Sequence, residues 1–165
     1  MNVSLERIND DYLFEVTNAN GMSIRLDNKS KTTGEVQGVS PMELLLMGIA
    51  GCSSIDIVAI LNKQKINPKV LKMEVQGHRH ENEVPALFYQ IDLRIYLEGD
   101  FSPDKAKRAA QLSFDKYCSV SKTLEHTAKI NYQVFLNGVE VSGYSAYAFF
   151  FFQMAFVSKT VSFQV

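Results

Sequence analysis

Apolar and polar residues alternate in three short runs at the start of the chain, residues 3–8, 12–16 and 22–26. A period of two predicts strands with one face turned to a core. The turn clusters Asp10-Asp11 and Asn18-Ala19-Asn20-Gly21 separate the runs. Asn20-Gly21 is a hairpin signal, so the three runs read as a meander. Residues 28–38 are polar, contain two glycines and read as a loop. The pattern then changes. Ser40-Pro41-Met42-Glu43 places Ser at the N-cap, Pro at the first helical position and Glu at the third, a capping box. Residues 44–61 are apolar almost all round, and Lys63, Lys65 and Asn67-Pro68 end the helix. Ser53, Ser54 and Asp56 and the well-formed start favour a buried central helix over a membrane span. Gly48, Ala50 and Gly51 lower helix propensity but let a second helix come close.

Two further strands are predicted over residues 70–76 and 87–97, joined by a polar connection over 77–85. Ser102-Pro103 repeats the Ser/Pro start and opens a second helix to about residue 114. A short helix follows Tyr117-Cys118-Ser119-Val120-Ser121, and a last strand covers 129–136. The order βββαββααβ is α+β, not a run of βαβ units. Residues 142–165 differ in character: they hold eight of the eighteen aromatics, four of them consecutive at 149–152. Their apolar stretch is shorter than the ~20 residues a membrane span needs. The chain therefore divides into a domain over 1–140 and an aromatic-rich extension over 141–165. The extension reads as a strand or amphipathic segment covering the domain or a partner, with membrane-surface contact as the alternative.

Composition narrows the function. A formal charge of −1 argues against a nucleic-acid surface, which needs a basic excess. The first eleven residues lack a basic segment followed by an apolar one, so a cytoplasmic location is expected. In a reducing compartment two cysteines are inert core thiols, metal ligands or redox residues rather than a permanent cross-link. Cys52 sits mid-helix between Gly51 and Ser53. Cys118 lies at a helix start, where backbone amides favour a thiolate. The absence of C-x-x-C excludes a thioredoxin-type site. His78 and His80 would share a face of an extended segment and could ligate a metal, but Arg79, Glu81 and Glu83 point to a solvated turn. Asp56, one turn after Cys52, shares its face. A carboxylate there raises a thiol pKa unless a cation pairs with it, and a hydrogen-bonded structural Asp is the favoured reading.

The segment Ser-Pro-Met-Glu-Leu-Leu-Leu-Met-Gly-Ile-Ala-Gly-Cys-Ser-Ser-Ile-Asp-Ile-Val (40–58), followed by Lys-Tyr-Cys-Ser-Val-Ser-Lys-Thr-Leu (116–124), resembles the OsmC/Ohr family of osmotically inducible and organic hydroperoxide resistance proteins. The likeness covers residues 1–140 and is greatest to the OsmC-like branch. It implies an intertwined homodimer in which an antiparallel sheet wraps two long central helices and each site draws on both subunits. It further implies that Cys52 attacks the peroxide, that Cys118 resolves the product, that an external dithiol (lipoyl-type in the Ohr branch) is the reductant, and that no metal or prosthetic group takes part.

The chain departs from the Ohr pattern at the acid. That branch has a catalytic Glu directly after the Pro, where this chain has Met42, with Glu43 one residue later. One helical step is ~100° of rotation, and nine residues separate Glu43 from Cys52, ~13 Å along the axis. Glu43 is therefore a helix cap, a catalytic group acting across a dimer, or both. Arg25 holds the position of the Ohr arginine without its local motif, and Arg79 is a feature of the OsmC-like branch; a solvated surface role is the alternative for each. Leu44, Leu45, Met47 and Ile55 are candidates for an apolar wall selecting alkyl hydroperoxides. The rival to a peroxidase is a non-catalytic dimer on the same fold that binds a small apolar ligand or senses redox state.

Overall fold

The computed structural model describes residues 1–28, 34–80 and 82–144. Of the aromatic-rich extension expected over 141–165, residues 145–165 lie outside them. The chain forms two compact units, Met1–Gly48 and Ile49–Val165.

In the first unit, β1 (Val3–Arg7), β2 (Phe14–Asn18) and β3 (Ser23–Leu26) form the expected antiparallel meander in the order β1-β2-β3. Its two turns are built by asparagines. The Asn9 side chain accepts the amides of Asp11 and Leu13, and that of Asn18 accepts those of Asn20 and Met22. Gly21 supplies the left-handed residue, φ +79°, that the second turn requires. Buried Asp27 accepts the amides of Asn28 and Gln37. Val39 then pairs alongside Leu26 and leads into the helix.

Helix α1 spans Pro41–Lys63. The capping box forms: the Ser40 amide donates to Glu43 Oε2 (2.8 Å) and the Glu43 amide to Ser40 Oγ (3.2 Å). One stripe of the helix is buried, Ile49, Ser53, Ile57 and Leu61, at the four-residue spacing of a single face. The expected buried central helix is thus only partly buried by its own chain, and Leu45, Met47 and Ile55 stay exposed. Alone among the described helices, α1 is long and apolar enough to cross a membrane by length and composition.

In the second unit a four-stranded sheet has the order β4-β5-β6-β7, with β4 Val70–Arg79, β5 Phe88–Glu98, β6 Lys129–Leu136 and β7 Val139–Tyr144. Two features differ from expectation. β5 and β6 pair in parallel, so this sheet is mixed rather than antiparallel. A parallel neighbour requires a long crossover, here α2 (Pro103–Leu112), a π-helical turn (Ser113–Tyr117) and α3 (Ser119–Leu124). The second difference is β7, which pairs antiparallel with β6 through a turn whose residues Asn137 (φ +50°) and Gly138 (φ +81°) both sit in the left-handed region. It runs past residue 140. The core of this unit is formed by Ile91, Leu93, Ile95 and Leu97 of β5, Val134 and Leu136 of β6, and Ala106, Ala109, Ala110 and Phe114 of the crossover. The small alanines on one face of α2 recur at helical spacing and are fully buried.

Candidate functional site

The two cysteines meet in the second unit. Cys52 projects from α1, half-buried, and Asp56 follows it by one turn on the same face. Cys118 arrives from the crossover. The π-helical turn closes with the Cys118 amide donating to Ser113 O at 2.8 Å, after which Cys118 takes extended geometry and caps α3. Its sulfur accepts the Ser121 amide at 3.4 Å. The same turn delivers Ser113, whose hydroxyl donates to Asp56 Oδ2 (3.3 Å) and approaches Ser53 O (3.5 Å). A single π turn therefore fixes both the second cysteine and the hydroxyl that orients Asp56, in keeping with the frequency of such turns at functional sites. The Cys52 and Cys118 sulfurs and an Asp56 carboxylate oxygen all lie within 4.8 Å of one another.

The electrostatics separate the cysteines. Burial pushes the Cys118 thiol up to about 12; the Ser121 amide works against this, while the hydrogen bond and charge of Cys52 and the charge of Asp56 add to it. The expectation that a helix start would favour a Cys118 thiolate is corrected. The amide contact is present, but the sulfur is fully buried and faces a carboxylate, and desolvation dominates. The folded thiol thus binds its proton more tightly than an unfolded one, whose pKa is about 8.5. That contribution to stability is complete below about pH 8.5 and is lost as pH rises toward 12. In reduced protein, the stability advantage of wild type over Cys118→Ala is expected to shrink between pH 8 and pH 11 in urea titrations. An advantage independent of pH would contradict this assignment.

The other three candidates each have contacts of their own. Glu43 is engaged with Ser40, whose amide and hydroxyl hold its carboxyl below the usual carboxylate range. If the chain reduces peroxides, Glu43→Gln, which keeps the box, is expected to leave that turnover within about twofold of wild type. A hundredfold fall with the helix content intact would show a catalytic carboxylate instead. Arg25 is exposed on β3, opposite Glu15 of β2. Arg79 is exposed at the end of β4, with its Nε donating to Ala86 O (2.7 Å) and its guanidinium 6.0 Å from the Phe88 ring centre. β4 extends through His78 and Arg79, which corrects the turn expected there, and a register shift falls between those two residues.

His78 and His80 do not act together. His78 Nε2 lies 2.8 Å from Asp92 Oδ2, and the His80 ring packs against Tyr89 at 4.4 Å between centroids. Asp92 also accepts from the side chains of Gln90 and Asn131. Burial raises its pKa, but these donors outweigh that and hold the carboxyl below its ordinary range. This network across β4, β5 and β6 was not anticipated from the sequence, nor was Ser113. The one sequence signal for the network is that Asp92 and Asn131 are polar residues interrupting apolar strand runs.

Comparison with known proteins bears on the whole arrangement. A family model described as OsmC-like protein matches residues 32–133. Protein YhfA of Escherichia coli strain K12 is 37% identical over 115 residues, 69% of this chain and 82% of YhfA. The crystal structure of an OsmC like protein from Mycoplasma pneumoniae superposes with a TM-score of 0.70 at 24% identity, covering 82% of this chain and 95% of that one. The organic hydroperoxide resistance protein OhrB of Bacillus subtilis shares the fold, with a TM-score of 0.60 at 16% identity and coverage of 82% and 98%.

Proposed function

The chain belongs to the OsmC-like protein family, and from that premise we propose that it is a homodimeric thiol peroxidase that reduces organic hydroperoxides. The observation that carries the reading is the convergence of its two cysteines, from α1 and from the start of α3, to within 4.8 Å. Disulfide formation requires the sulfurs to close to about 2.05 Å from a separation of at most 4.8 Å.

Cys52 attacks and Cys118 resolves. Cys52 is the less buried of the two residues, whereas Cys118 is buried and holds its proton. The Cys52 thiolate attacks the distal peroxide oxygen. The O–O bond breaks, the alkoxide takes a proton and leaves as an alcohol, and Cys52 becomes a sulfenic acid. Cys118 condenses with it, releasing water and forming the Cys52–Cys118 disulfide. An external dithiol then reduces the pair by exchange. Asp56, oriented by Ser113, stands beside both sulfurs. Arg25 and Arg79 remain candidates for a cation brought to Cys52 by a second subunit. Leu45, Met47 and Ile55 are exposed in the single chain and would form the apolar wall only on dimerisation.

The test is steady-state consumption of cumene hydroperoxide with dihydrolipoamide as reductant, in metal-free buffer. Sustained turnover with cycling of two thiols supports the enzyme. Met42, where the Ohr branch has its catalytic Glu, favours the second reading, a non-catalytic dimer that senses redox state or binds an apolar ligand. Thiol oxidation without catalytic turnover would select it.

A further inference from the structure

Two thiols and a carboxylate within 4.8 Å of one another are also a ligand set. Among the described residues this is the one place where three such donors converge. We propose that the reduced protein binds one zinc-class divalent cation through Cys52 Sγ, Cys118 Sγ and Asp56, with a fourth position open to water, and that metal binding and disulfide formation exclude each other. The inference rests on the donor geometry and stands apart from the peroxidase reading.

Four features of the cluster support it. First, tetrahedral zinc with sulfur and oxygen donors holds neighbouring ligand atoms about 3.4–3.8 Å apart, so the three atoms need to contract by only about 1 Å. Second, the donors come from two supports, α1 for Cys52 and Asp56 and the start of α3 for Cys118, so the ion would sit between elements rather than on a floppy loop. Third, outer contacts of the kind that orient metal ligands are already made. Ser113 Oγ donates to Asp56 Oδ2, and the Ser121 amide donates to Cys118 Sγ. Fourth, deprotonating both thiols beside Asp56 puts three negative charges together, which a dication neutralises.

The donors select the metal. Thiolate sulfur disfavours magnesium and calcium, and a carboxylate is a poor partner for copper(I), leaving zinc or its cobalt(II) surrogate. Metal-bound thiolates are held from attack until the ion leaves. When a peroxide oxidises the pair, the two thiolates give up two electrons as the S–S bond forms. The peroxide O–O bond is cleaved to alcohol and water with two protons from solvent. The ion, having lost both sulfur ligands, is released.

The experiment uses the full chain, reduced with a phosphine and freed of metal, titrated with Zn2+ against a chromophoric chelator. One Zn2+ per chain is expected. Co2+ should give a sulfur-to-cobalt charge-transfer band together with the visible bands of a tetrahedral site. Cys118→Ser is expected to weaken zinc binding by at least about a hundredfold, and Asp56→Asn by about 10- to 100-fold. A control without substitution guards against misfolded variants: wild type oxidised with stoichiometric diamide should lose the site and regain it on reduction. The proposal is overturned if reduced wild type fails to compete for Zn2+. It is equally overturned if binding is undiminished in both variants or in the oxidised protein. Hydroperoxide turnover measured on the same metal-free preparation separates the two readings. Zinc binding without turnover supports this site and removes the enzyme; turnover without zinc binding removes this site.

Discussion

Replacing Cys118 by Ser is expected to turn sustained hydroperoxide reduction into a single event. With one equivalent of alkyl hydroperoxide, Cys118→Ser should form a sulfenic acid at Cys52, trappable by a dimedone-type reagent, and then stop for want of a resolving thiol. Cys52→Ser should consume almost no peroxide, a loss of at least about a thousandfold, because it removes the nucleophile itself. The asymmetry follows from the surroundings of the two sulfurs. Cys118 has no exposed surface, and burial raises its thiol to about 12, so at neutral pH it is a poor first nucleophile. Once Cys52 is a sulfenic acid, the same location becomes useful. On the peroxidase reading, a protected thiol within 4.8 Å would condense before water or a second peroxide intervenes. Mass spectrometry after trapping reads the outcome directly. Labelling of Cys118 in Cys52→Ser at the wild-type rate would reverse the roles, and indifference of peroxide consumption to both substitutions would end the peroxidase reading.

Much of this arrangement was legible in the sequence where local chemistry controls it. The box Ser40–Glu43 reads directly because its partners are three residues apart and their hydrogen bonds are local. The asparagine turns at Asn9 and Asn18 are equally local. The strand β7 was missed although its signal was present: Asn137-Gly138 stands between Leu136 and the alternating Val139 and Val141. The parallel pairing of β5 with β6 has no local signature. Nothing in either strand's pattern distinguishes a long crossover from a hairpin partner.

The site divides along the same line. The i, i+4 relation of Cys52 and Asp56 follows from helical geometry and was available at once. That Cys118 and Ser113 reach the same point is set by a π turn whose register depends on how the crossover packs, which no short-range pattern encodes. Burial is the other hidden quantity. The Cys118 helix start was correctly placed, yet its consequence was reversed because the amide's contribution is smaller than the cost of desolvating a thiolate beside a carboxylate.

Helix α1 carries the second large prediction. Its buried stripe ends where its own chain's core ends, at Ile49, Ser53, Ile57 and Leu61, and Ile55 between them is 71% exposed. Val3 and Leu5 of β1 are also exposed, at 72% and 58%. A Cβ added at Gly51 would meet nothing within 4 Å in the single chain. These residues behave oppositely in a monomer and in a dimer that crosses its central helices here. In a monomer, Gly51→Ala removes a helix-weakening glycine from an open face and stabilises by up to about 1 kcal/mol. Ile55→Glu on an exposed helix face would then cost almost nothing. In a dimer, the added methyl group meets the partner's helix, and a buried glutamate costs several kcal/mol, which at about 1.4 kcal/mol per decade weakens association by more than a hundredfold. The proposed dimer therefore requires wild type to sediment as a dimer at micromolar concentration, Ile55→Glu to sediment as a monomer or fail to fold, and Ile55→Leu to match wild type. It also requires Gly51→Ala to lower rather than raise the thermal midpoint. Hydroperoxide turnover should fall with the dimer if each site draws on both subunits. A folded wild-type monomer, or an Ile55→Glu variant with unchanged mass and midpoint, would leave α1 with an exposed face and remove the dimer from the reading.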